Sequence, residues 1–271
     1  MNRRQKTLIS TLLAALLLTG VIACGLLLGD ERITTNLEAR NASPSLAHPF
    51  GTDWLGRDMF VRTVKGLTVS MGVGVTAAAA STAVALTLGM LAATLGKAVD
   101  AAVSWLIDLF LGVPHLVALI LISFALGGGM KGVVAGIALT HWPSLARVIR
   151  AEVMQLRSAE FVQISRRLGK SRWWVASRHM LPHLIPQLFI GFVLLFPHAI
   201  LHEASISFLG FGLPPHQPAI GIILSESMRY LTTGMWWLAF FPGLSLLVIV
   251  RAFDVLGDNL RMLADPHRAH Q

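Results

Sequence analysis

Six apolar runs divide this 271-residue chain: about Leu8 to Leu28, Thr68 to Leu95, Trp105 to Leu126, Val133 to Ile149, Leu184 to Leu209 and Met235 to Leu256. A hydrocarbon layer about 30 Å thick takes roughly 20 helical residues to cross. A segment inside it must satisfy its own backbone N–H and C=O groups, which an α-helix does. The expected fold is therefore all-α: a polytopic membrane protein with six transmembrane helices. Composition closes the soluble alternative. Charged residues make up 13% and hydrophobic ones 54%, whereas a soluble domain carries about 25% charged residues. The fourth run is the shortest.

The distribution of Lys and Arg sets the expected orientation. With a cytoplasmic N-terminus, the inner segments hold Arg3, Arg4, Lys6, Lys97, the eight basic residues from Arg147 to Arg178, Arg251, Arg261 and Arg268; the outer segments hold the smaller remainder of the 22. That bias places both termini in the cytoplasm. The net charge of +8 thus lies along one membrane face and does not form the folded basic patch that nucleic acid needs, so no nucleic acid partner is expected. A single cysteine excludes a disulfide framework. Val21-Ile22-Ala23-Cys24 looks like a lipoprotein cleavage box, but the apolar run continues through Leu28 and five more follow, so an uncleaved first helix is expected. No linker or repeat separates domains.

The basic segment contains EFVQISRRLGKSRWWVASRHMLP, Glu160 to Pro182. Phe161, Ile164, Ser165 and Leu168 fall at helical spacing and predict a short helix with a narrow apolar stripe, Glu160, Arg166 and Arg167 pointing elsewhere. Gly169 ends it in the left-handed conformation, and Ser171 caps a second short helix expected to run to Pro182. The segment resembles the coupling loop of ABC-importer permeases, with Gln163-Ile164-Ser165 where that family has Glu-Ala-Ala. Three more stretches resemble the dipeptide, oligopeptide and nickel permeases of that family: HPFGTDWLGRDMFVR (His48 to Arg62), SFLGFGLPP (Ser207 to Pro215) and FDVLGDNLRMLADPH (Phe253 to His267). In the first, Pro49, Gly51 and Gly56 suit a tight turn, and Asp53, Arg57, Asp58 and Arg62 can neutralise one another. Ile220 stands where the family has Trp.

The resemblance implies a division into residues 1–47, the first helix and the start of an external loop, and 48–271, the transmembrane domain with its coupling loop at about 150–182. It implies a bacterial inner-membrane subunit that pairs with a second, related permease and works with two ATPase subunits, an extracytoplasmic substrate-binding protein and membrane lipid. The loop residues that would meet the ATPase are Glu160, Phe161, Ile164, Leu168, Gly169 and Pro182. No cofactor is expected on this chain. A phosphate-cradling loop needs G-x-x-x-x-G-K-[ST] after a strand, and Ile164 stands where its first Gly should be, so ATP is expected on the partner subunits. Nor is an enzyme expected: an intramembrane metalloprotease would need H-E-x-x-H, and His202-Glu203 is followed by Ile206.

Substrate is read from the intramembrane histidines. His198 and His202 stand at i, i+4 in the fifth run with Glu203 adjacent; His141 lies in the fourth; Asp108 and His115 lie seven apart in the third. Polar groups in lipid turn toward protein or a water-filled path, and these six form the candidate substrate path, with hydrogen bonding between helices as the alternative. Imidazole suits nickel, copper and zinc, and His198 with His202 form a candidate transient metal pair. FPHAILHEASISFLG and LTHWPSLAR resemble the nickel branch, so nickel, free or chelated, is the expected cargo and peptide the alternative.

The orientation is tested by labelling intact cells with a membrane-impermeant thiol reagent. In a Cys24→Ala background, Asn41→Cys is expected to react and Ser158→Cys to be protected; the reverse pattern would overturn the topology.

Overall fold

The structure, a computed structural model, describes residues 3–264. Asp265, Pro266 and His267 of the tail stretch, and Arg268, lie outside the described residues. Among those described, the elements are helical: α1 (Arg3–Leu27), α2 (Met59–Leu95), α3 (Lys97–Gly112), α4 (His115–Ala125), α5 (Gly129–Ser158), α6 (Glu160–Arg167), α7 (Arg172–Val175), α8 (Leu181–Phe208), α9 (Ile220–Met228) and α10 (Trp237–Ala264). The fold is all-α. Five helical stretches are long and apolar enough to cross a membrane, and α3 with α4 make a sixth if that bent pair is one span.

The bent pair corrects the expectation of a straight helix from Trp105 to Leu126. Its two halves meet at 102°. Pro114 lacks an N–H and drives the residue before it out of the helical region, and Val113 lies at φ −89°, ψ 138°. The second span also starts earlier than its apolar run, at Met59, because the Asp58 carboxylate accepts from the N–H groups of Phe60 and Val61 and so caps the helix. At 30 residues, α5 runs about 45 Å, well past a ~30 Å hydrocarbon layer, and so carries the basic loop clear of the lipid.

α2 is the axis, packed against α5 and α8. Its buried face is built largely of Gly, Ala and Ser, including Gly66, Gly74, Ala77, Ala78, Ser81, Ala85, Gly89, Ala92 and Ala93. Small side chains let backbones approach where lipid offers no hydrophobic drive. α1 lies outside, its Leu12, Leu13 and Leu16 exposed, and is held to α10 by Asn259, whose amide donates to the Thr7 carbonyl and the Ser10 and Thr11 hydroxyls.

At the end away from the basic loop, α9 packs against α8. Ile220 is fully buried and its N–H donates to the Ser70 hydroxyl at 3.3 Å, so an isoleucine fills the position where Trp was expected. A methyl group on Gly221 would stand 2.1 Å from the Ala204 carbonyl oxygen, and backbone cannot yield as a side-chain tip can.

Gly221→Ala is therefore expected to push α9 off α8 at a cost of about 1–3 kcal/mol. It should lower the apparent unfolding temperature of the detergent-extracted protein, while Gly243→Ala, whose methyl meets only Leu224 at 3.7 Å, should not.

Candidate functional site

The end that carries the basic loop is built from one short amphipathic helix. α6 begins after Ala159 and buries Val162, one position off the predicted stripe, while Phe161, Ile164 and Leu168 stay exposed. Glu160 and Gly169 are exposed as well. Gly169 has φ +78°, the left-handed region in which glycine pays no side-chain penalty. Ser171 then caps the next turn by accepting from the Trp174 N–H. The second helix departs from expectation at Pro182. It does not end there, because Ala176–Met180 widen into a π-turn and Pro182 falls in the first turn of α8, where a missing N–H costs little. The loop and the fifth span are thus one continuous rod from Arg172 to Phe208.

Aromatic contacts stiffen this corner. Phe161 stacks on His183 at 5.4 Å and meets His179 edge-on, and the Ser165 hydroxyl is 3.0 Å from His179 Nε2. Burial lowers the Arg166 pKa, with Arg157 and Arg172 adding repulsion. Trp173 is 80% exposed as well; the stripe count missed it because it lies beyond the Gly169 turn.

At the opposite end, the loop from His48 to Arg62 closes on itself. Asp53 is fully buried and accepts from Arg57 Nε and Arg62 Nη1, each at 2.7 Å, and from two backbone N–H groups. Arg62 reaches on to Glu226 at 2.9 Å. Asp58 pairs with His48 at 2.9 Å rather than with either arginine.

Between the two ends lies a cavity of 490 Å³. Gln187, Gly191, His198 and His202 line it along one face of α8, with His141 and Ser144 from α5, His115 from α4 and Arg261 from α10. His115, His141 and His202 meet there. Their ring centroids are 4.4, 4.5 and 5.0 Å apart, and one donor nitrogen from each lies within 4.8 Å of the others. His198 is exposed in the same cavity, one turn from His202, but outside that group, which joins His202 of the predicted pair to histidines on two other helices. No spacing rule finds it; the Pro114 break, which swings His115 inward, is the signal available. The same break separates Asp108 from His115: Asp108 is exposed and accepts from Arg147 at 2.5 Å. Glu203 turns away too, buried, accepting from the Ser207 hydroxyl at 2.7 Å.

Residues 85–262 match the family of binding-protein-dependent transport system inner membrane components. A dipeptide transport system permease protein of Bacillus subtilis is 32% identical over 234 residues, 86% of this chain and 73% of that one. A putative peptide permease of Brucella suis is 39% identical over 85% of this chain and 77% of its own, and a putative peptide transport system permease of the same organism is 32% identical over 98% and 89%. A chain of the MetNI methionine ABC transporter in an inward-facing conformation shares the fold at a TM-score of 0.62 and 17% identity, covering 76% of this chain and 98% of that one.

Proposed function

Since the chain belongs to the family of binding-protein-dependent transport system inner membrane components, a transport component and not an enzyme, we propose that it forms one half of the membrane path of a peptide importer. The names of the relatives, matched over most of their length, carry this reading. They favour peptide over the nickel expected from the histidine spacing. The cavity suits a short peptide as well: its walls are aliphatic, Thr140, Ser144 and Gln187 offer hydrogen bonds, and the Arg261 cation can meet a carboxylate.

The second half is a related permease across the cavity's open side, and the exposed Phe161, Ile164, Leu168 and Trp173 seat in a cleft of an ATPase subunit. ATP binding closes a pair of such subunits. The displacement passes through α6 into α5 and α8, which alternately opens the cavity to each side, while the loaded binding protein favours the outward state. Nickel, free or chelated, stays a second reading because three imidazoles face this cavity.

Uptake of a radiolabelled dipeptide beside radioactive nickel, in cells carrying the whole transporter, tests the assignment. Dipeptide uptake is expected; nickel uptake without it would transfer the function to the second reading, in which His198→Gln with His202→Gln should cut nickel uptake sharply at unchanged permease level.

Coupling is tested at Gly169. Nothing lies within 4 Å of a methyl group placed there, so a substitution acts only through the backbone. Gly169→Val is expected to cost about 1 kcal/mol or more by refusing the left-handed turn, lowering both ATPase co-purification and uptake while the chain still inserts. Gly169→Asn should lose less, since Asn tolerates that conformation. Normal values of both readouts in the valine variant would remove the hinge from the mechanism.

A further inference from the structure

The three histidines carry more than the wall of a peptide path requires. The His141 Nδ1–H donates to the Ile137 carbonyl at 3.0 Å, which fixes the ring and leaves the lone pair on Nε2. That Nε2, and Nε2 of His115, are buried without a hydrogen-bond partner. An imidazole held from behind by a backbone carbonyl, its other nitrogen free and aimed at further imidazoles, is the arrangement metal-ligating histidines show. A buried unsatisfied nitrogen costs free energy, which a bound ion would recover.

We propose that His115, His141 and His202 form an exchangeable three-nitrogen site for a divalent transition-metal ion of the nickel, copper and zinc group, entering the cavity alone or held by a small chelating cargo. The inference deepens the transport reading above by giving its cavity a ligand set. The donors lie within 4.8 Å of one another, whereas bonds of about 2.0–2.1 Å to a tetrahedral ion set donors roughly 3.4 Å apart, so ligation draws the three helices inward by a small step. His115 follows directly on the Pro114 break, the place where such a step is easiest. A fourth position stays open, as at sites that exchange their ligand.

Charge selects the cargo. Neither nearby carboxylate lines the cavity: one oxygen of Glu203 accepts from the Ser207 hydroxyl, and Asp108 accepts from Arg147. A bound ion therefore keeps its full positive charge within the spans, in a cavity that Arg261 also lines. Uncompensated buried charge is costly, which makes the site weak for a bare ion and stronger for one whose chelator brings a carboxylate into the open position. Weak ligation is what a transport path needs.

The test is equilibrium binding of radioactive nickel to the whole transporter in lipid nanodiscs, with nickel alone and with nickel presented as its histidine complex. One ion per copy of this chain is expected, more tightly in the second arm; binding in the first arm alone assigns the bare ion, and binding in neither overturns the proposal. His141→Gln and His202→Gln should each weaken binding at least about tenfold, since losing even an outer hydrogen-bond partner of a metal ligand costs 10–100-fold. Co-purified ATPase subunit reports that each variant assembles, and an assembled His141→Gln that binds as the wild type does would also overturn the site. Cobalt added to the unsubstituted transporter gives a reading independent of any variant: the visible absorption of a nitrogen-ligated, low-coordinate ion is expected, and the spectrum of the hydrated ion would refute it. No transport enters these measurements, so their failure leaves the peptide reading standing, and a failure of peptide uptake leaves the metal result standing.

Discussion

Contact between backbones holds this protein together. In lipid a leucine gains little by meeting another leucine, so helices associate by close van der Waals approach, and α2 supplies the surface for it. A methyl group on Gly89 would stand 3.0 Å from the Ala146 carbonyl oxygen of α5, and one on Gly74 would stand 2.9 Å from Ile200 of α8. Those two contacts fix the helices that bear His141 and His202. α4 is brought in the same way: a methyl on Gly132 of α5 would stand 2.6 Å from the Ser123 carbonyl oxygen, which sets the helix that begins at His115. The cavity and its histidines are where they are because small residues let four backbones, α2, α4, α5 and α8, close on one another.

Clusters of ion pairs tie down both ends. Asp53 is a fully buried charge, tolerable because two guanidinium groups and two backbone N–H groups meet it. At the other end Arg150 pairs with both oxygens of Asp100, and Arg157 donates to the Ala93 carbonyl, so the last turns of α5 are bound to α2 and α3 just before the chain leaves for α6.

What could be read from the sequence follows from how local each signal is. The spans, the Gly169 turn and the Ser171 cap are set by neighbours within a few residues, and the structure has them. So is the pairing of Asp53 with Arg57, at i, i+4. The Pro114 break was equally local, but a count of apolar residues passes straight through a proline in an apolar run. Pro182 misled in the opposite direction: a proline reads as a stop, and a π-turn placed it in the first turn of a longer helix. The triad belongs to a third kind. His115, His141 and His202 share no spacing, and only the packing of α4, α5 and α8 brings them together.

That packing also ties the loop to the histidines. The segment from Glu160 to Met180 has two attachments: α5, which bears His141, and α8, which bears His202. α8 is continuous with the loop through the π-turn, and a π-turn is a place where a helix changes its winding by one residue without breaking. His115, by contrast, stands beyond a 102° bend on a helix that the loop does not reach directly. His115 reaches the loop through α5, on which α4 packs at Gly132 and Ser123, so all three imidazoles depend on the two helices that the loop joins.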